Sequence, residues 1–147
     1  MPRPRRHMGR PGTRVIPADW QATHAAVVAK TLTSSVLIAE PGDGEPVFNP
    51  DTHQSETPLG ATSYDGPATI MLVSDSDQAP EVAGEDVPTR RYEVKLTHAA
   101  AGVKPGHILQ VTACQDPDLG PGVRLIVDTV ERGTQRFSRV LYATLTH

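Results

Sequence analysis

Gly102-Val-Lys-Pro-Gly-His-Ile-Leu-Gln-Val-Thr-Ala113 lies at the centre of residues 90–146, and its reading decides the fold. A Pro-Gly turn opens it, and Leu109, Val111 and Ala113 then follow at spacing two. Upstream, Arg91-Tyr-Glu-Val-Lys-Leu-Thr97 alternates strictly, with Tyr92, Val94 and Leu96 on one face and Arg91, Glu93 and Lys95 on the other. That is the period of a half-buried strand. Downstream, beyond the turn residues Asp116-Pro-Asp-Leu-Gly-Pro-Gly122, come Val123, Leu125 and Val127. A last run puts Phe137, Leu141, Ala143 and Leu145 on one side. Four strands joined by short Gly/Pro turns predict an antiparallel meander, the core of a small barrel or sandwich.

Earlier in the chain, residues 17–30 predict a helix. Pro17 suits a first turn, Ala22, Ala25, Ala26 and Ala29 favour helix, and Trp20, His24, Val27 and Thr31 form one stripe. Trp20, the only tryptophan, is expected to anchor this helix to the sheet or to a neighbouring subunit. The sheet is favoured because the helix is amphipathic and the domain short of core. Residues 32–39 predict a strand that ends at Pro41-Gly-Asp-Gly44. A polar excursion over residues 45–63 follows. Its Asn49-Pro-Asp-Thr52 turn separates Val47-Phe48 from Ser55-Glu-Thr57, the two arms of a protruding hairpin. Phe48 is the one large apolar residue there, and it packs on the barrel or plugs into a partner. Residues 68–74 predict a strand apolar on both faces, hence central or covered by the helix.

Charge is segregated along the chain. Residues 1–14 hold Arg3, Arg5, Arg6, Arg10 and Arg14 and no acid. Residues 40–87 hold 11 acids and no Lys or Arg, and from residue 89 onward eight bases meet five acids. Blocks of this kind belong to surfaces that meet charged partners. The arginine segment has too little apolar matter to order itself and is expected to be a disordered arm. It serves either as a grip on DNA or an acidic neighbour, or as a solubilising tail. Residues 15–147 are then a single domain, which the length of 147 residues suits. The apolar fraction, 37 %, is low and suggests burial completed against partners. No apolar run approaches the roughly 20 residues of a membrane span.

Chemistry-bearing constellations are sparse. The six histidines stand at 7, 24, 53, 98, 107 and 147, without the close His/Cys/carboxylate spacing of a metal site. Cys114 is the only cysteine. There is no nucleophile elbow and no phosphate-cradling loop. The expectation is a non-enzyme with no metal and no cofactor.

The order of turns and strands resembles a known family. A short helix leads into Thr31-Leu-Thr-Ser-Ser-Val-Leu-Ile38. Then come Val47-Phe-Asn-Pro-Asp-Thr52, Glu56-Thr-Pro58, Tyr64-Asp-Gly-Pro-Ala-Thr-Ile70, Val103-Lys-Pro-Gly-His-Ile-Leu-Gln-Val111 and Arg124-Leu-Ile-Val-Asp-Thr-Val130. This is similar to the small head–tail connector proteins, of stopper or head-closure type, of long-tailed phages, especially those of actinobacterial hosts. The similarity runs from Asp19 to the end. The Gly that commonly follows the Pro-Asp-Thr turn in such proteins is His53 here, and their Gly-Asp before the central strand is Gly106-His107.

The resemblance implies a mainly β fold: a small antiparallel β-barrel with one N-terminal helix and long polar loops. It also implies a structural subunit of the virion neck, made in the host cytoplasm. Its copies would form a homo-oligomeric ring, a dodecamer or a hexamer, around packaged DNA. A portal or adaptor protein would lie on the head side and a tail terminator or tail-tube protein on the tail side, with no membrane. Glu40, Asp43, Glu45, Phe48, Asn49, Asp51 and Glu56 are the candidates for a channel or partner loop. The five arginines of residues 1–14 are the candidates for the arm contact. The alternatives are a tail-terminator or tail-completion protein and a stand-alone SH3-like or oligonucleotide-binding-like module. Against the last, aromatics are only 4 % of the chain, too few for a base-stacking stripe.

Overall fold

The computed structural model describes residues 18–51, 53–73, 90–133 and 137–145. The arginine arm, and with it the expectation of disorder there, lies outside them. The described residues form a closed, six-stranded antiparallel β-barrel with one helix and a separate two-stranded ribbon. Helix α1 is Trp20–Ala29. The strands are β1 Ser34–Pro41, β2 Val47–Asn49, β3 Gln54–Glu56, β4 Leu59–Leu72, β5 Arg91–Thr97, β6 Ile108–Ala113, β7 Arg124–Val130 and β8 Ser138–Leu145. The barrel order is β1-β4-β5-β8-β7-β6, closed by β6 against β1.

The interior follows from alternation. Val36 and Ile38 of β1 point inward, as do Tyr92, Val94 and Leu96 of β5, Leu109 and Val111 of β6, Leu125 and Val127 of β7, and Leu141 and Ala143 of β8. Each fully buried leucine or valine stabilises the barrel by roughly 1.5–3 kcal/mol relative to exposure. Alternation breaks where Ile38 and Ala39 are buried in succession, and there the pairing with β4 shifts register. The extra residue at this shift is Ser63 of β4, which has no partner between Ile38 and Ala39. The two barrel ends are stoppered by loops. Ala100 and Val103 from the β5–β6 connection are buried in the core cluster, and so is Leu119, from a 3-10 turn at Pro117–Leu119 between β6 and β7.

Three sequence expectations change. The last four strands are not one meander: β6, β7 and β8 are consecutive neighbours, but β5 pairs with β8 and β6 pairs with β1. The β5–β6 connection therefore crosses the barrel end and plugs it, which a strand-by-strand reading of periodicity does not reveal. The polar excursion stops at Pro58, because residues 59–63 open the long strand β4. On that strand Ala68 is buried and Ile70 packs on the core, while Met71 and Leu72 are 41 % and 57 % exposed, so α1 does not cover them.

Helix α1 buries none of its residues. Trp20 instead packs its ring against His24 (centroids 4.7 Å) and edge-on against Phe137 (4.8 Å), while His24 stacks on Phe137 (5.2 Å). Phe137 thus belongs to this ring cluster and not to the barrel interior. The far end of the helix is tied to β4 by Thr69 Oγ1, which donates to the Thr31 carbonyl.

Candidate functional site

The ribbon β2–β3 is the feature the barrel does not explain. Val47 pairs with Glu56, Phe48 with Ser55 and Asn49 with Gln54, as the flanks of the Asn-Pro-Asp turn predict. The turn is shaped by Asn49, whose Oδ1 accepts from the Asp51 amide at 2.9 Å. His53 holds φ = 55°, a left-handed conformation that is costly for a residue with a Cβ. A glycine would hold this backbone position without that cost. The base of the excursion closes tightly. The Gly42 amide donates to the Pro58 carbonyl at 2.7 Å, and a Cβ at Gly42 would meet that oxygen at 2.9 Å.

A two-stranded ribbon is marginal by itself in water, and one cation holds this one to the barrel. Arg124, facing outward from β7, bonds Glu56 Oε2 at 3.0 Å and donates to the Thr57 carbonyl at 2.7 Å. Glu56 Oε1 also accepts from Asn49 Nδ2 at 2.8 Å. The carboxylate thus links both ribbon strands to the barrel wall. Beneath the ribbon runs a groove of about 490 Å³, bordered by Glu56, Thr57, Ile108, Val123 and Ile126.

The candidate loop residues separate into two groups. Asn49 and Glu56 serve the ribbon's own architecture. Glu40, Asp43, Glu45, Asp51 and Phe48 are exposed. Phe48 is 59 % exposed and its neighbour Val47 67 %, so Phe48 does not pack back on the barrel. Because successive strand residues point to opposite faces, the ribbon shows an apolar side chain on each face. Arg3, Arg5, Arg6, Arg10 and Arg14 lie outside the described residues.

Two clusters escaped the sequence reading. His107 is buried, with Nδ1 3.0 Å from Ser63 Oγ and Nε2 4.0 Å from Glu40 Oε1. These groups join β1, β4 and the β5–β6 loop at one barrel end. Ser63 Oγ gives this buried ring a hydrogen-bond partner where three segments converge. The second cluster is a polar cleft of about 440 Å³ lined by Gln21, His98, Glu131, Arg132, Ser138 and Arg139. It gathers helix, β5 end and β7–β8 turn, segments whose residues are far apart in sequence. Among the described residues no group of three or more His, Cys, Asp or Glu is placed to hold a metal ion. Nor is any helix among them long and apolar enough to cross a membrane.

Comparison with curated proteins and with solved structures gives no match. A family model does match, over residues 24–144, a span that takes in most of α1, the ribbon and all six barrel strands up to the end of β8. The chain belongs to DUF6093, a family of unknown function.

Proposed function

We propose that this protein is a structural subunit of the head–tail connector of a long-tailed phage, of the stopper or head-closure type. It acts by assembly: copies form a ring between the portal or adaptor and the tail, and packaged DNA passes through its channel. The observation that carries this reading is the β2–β3 ribbon, which projects from a complete barrel with Val47 and Phe48 exposed on its two faces. A barrel that already closes on itself gains nothing from such a ribbon as a monomer, whereas an assembling subunit gains a contact. The exposed acids Glu40, Asp43 and Glu45 at the ribbon's root suit a channel-facing collar. Repeated around a ring they repel phosphate, so DNA slides past them without sticking. The arginine arm suits a clamp on an acidic neighbour.

The resemblance of the turn-and-strand order to connector proteins supports the same reading. The test is deletion of the gene from a phage that carries it. DNA-filled heads beside separate tails, or heads that lose their DNA, are the expected products. Normal infectious particles from the deletion would end the proposal.

A further inference from the structure

We infer that the β2–β3 ribbon of one copy docks into the cleft beside α1 of the next copy, a head-to-tail contact that builds the ring. This inference rests on the connector reading and adds to it the two surfaces that meet. The ribbon offers Val47 and Phe48, 67 % and 59 % exposed, and the exposed carboxylate of Asp51 at its turn. Residues 40–58, which contain it, hold five acids and no Lys or Arg. The cleft offers the complement. Among the described residues, Arg132, Arg139 and His98 line it with a single acid, Glu131. Its lining residues Gln21 and Ser138 are chain neighbours of Trp20 and Phe137, whose rings touch each other and His24 at its border.

An aromatic cluster beside arginines is the composition of an interface centre. It suits an entering phenyl ring and a carboxylate together, the ring stacking on rings or guanidinium and the acid pairing with arginine.

The placement of the two surfaces makes the contact head-to-tail. The ribbon is anchored at Arg124, the first residue of the seven-residue β7, and the cleft is bounded by Glu131, just past its last. At about 3.3 Å per residue they stand on the order of 20 Å apart along the barrel. A two-fold dimer would match each surface to itself, acid to acid and base to base. Two different, complementary patches at a distance generate a heterologous contact, which repeats and closes into a ring when the rotation allows.

The experiment uses the full chain with Asp51→Lys in one preparation and Arg132→Glu with Arg139→Glu in another. Arg132→Glu alone serves as a gentler cleft variant, since Arg132 is exposed. Mass is followed by sedimentation and folding by circular dichroism. Each variant alone should assemble at least about tenfold more weakly than the unaltered chain, as for loss of a hot-spot contact. An equal mixture should recover assembly, because in an alternating ring every lysine meets a glutamate cleft and every aspartate an arginine cleft. Phe48→Ser should weaken assembly comparably while the chain stays folded. If the unaltered chain forms rings but the variants assemble as well as it does, or the mixture fails to recover, the docking inference falls and the connector reading stands. If the unaltered chain stays monomeric at every concentration, both fall.

Discussion

Replacing Arg124 by Met should free the ribbon without unfolding the barrel. Methionine keeps an unbranched apolar stem along the outer wall of β7 but loses the contacts to Glu56 Oε2 and the Thr57 carbonyl, at 3.0 and 2.7 Å. Both side chains of the ion pair are less than one-fifth exposed, so solvent screens the pair only in part. A net charge-assisted hydrogen bond contributes about 1.5–3 kcal/mol. The two losses do not simply add, because the released Glu56 regains water and keeps its bond to Asn49. One bond's worth is therefore the appropriate magnitude for the local opening equilibrium. Since about 1.4 kcal/mol is a factor of ten, the amides of β2 and β3 should exchange with deuterium roughly 10- to 150-fold faster. The amides of β5 and β8, at the heart of the barrel, should keep their protection, and the melting temperature should move little. Unchanged exchange in the ribbon would refute the tether. Equal loss of protection in ribbon and barrel would refute their independence.

Leu96→Ala, at a fully buried position, should cost about 2–5 kcal/mol in chemical denaturation. Leu72→Ala, at a half-exposed one, should stay within roughly 0.5 kcal/mol, and equal costs would contradict the inward assignment of β5. His53→Gly removes a Cβ from a backbone at φ = 55°. It should slow ribbon exchange by a few-fold, since the relief of about 1–2 kcal/mol is partly offset by glycine's larger unfolded entropy of about 0.5–1 kcal/mol; faster exchange would count against strain there. Removing residues 1–14, which hold five arginines and no acid, should weaken assembly in a salt-dependent way, with screening over about 8 Å at physiological ionic strength. The melting temperature should not fall. Assembly unaffected at moderate salt would leave the arm a passive tail.

Local pattern was enough for much of this protein. Tyr92, Val94 and Leu96 announce their inward face by alternation, because a strand's side chains switch faces at every residue whatever its neighbours are. Asn49-Pro-Asp announces the ribbon turn, because proline fixes φ and Asn and Asp side chains bond nearby amides. The charge blocks are likewise properties of the chain. Tertiary structure decided what depends on partners distant in sequence. That β5 pairs with β8 and β6 with β1 was invisible in periodicity, which gives the face of a strand but not its neighbour. It also decided that α1 lies outside a closed wall, held by Trp20 and Phe137, although its stripe reads as core-facing. And it brought Glu56 to Arg124 and Ser63 to His107 across 67 and 43 intervening residues. Contacts of that range arise only when the whole barrel closes, so no local spacing in the sequence encodes them.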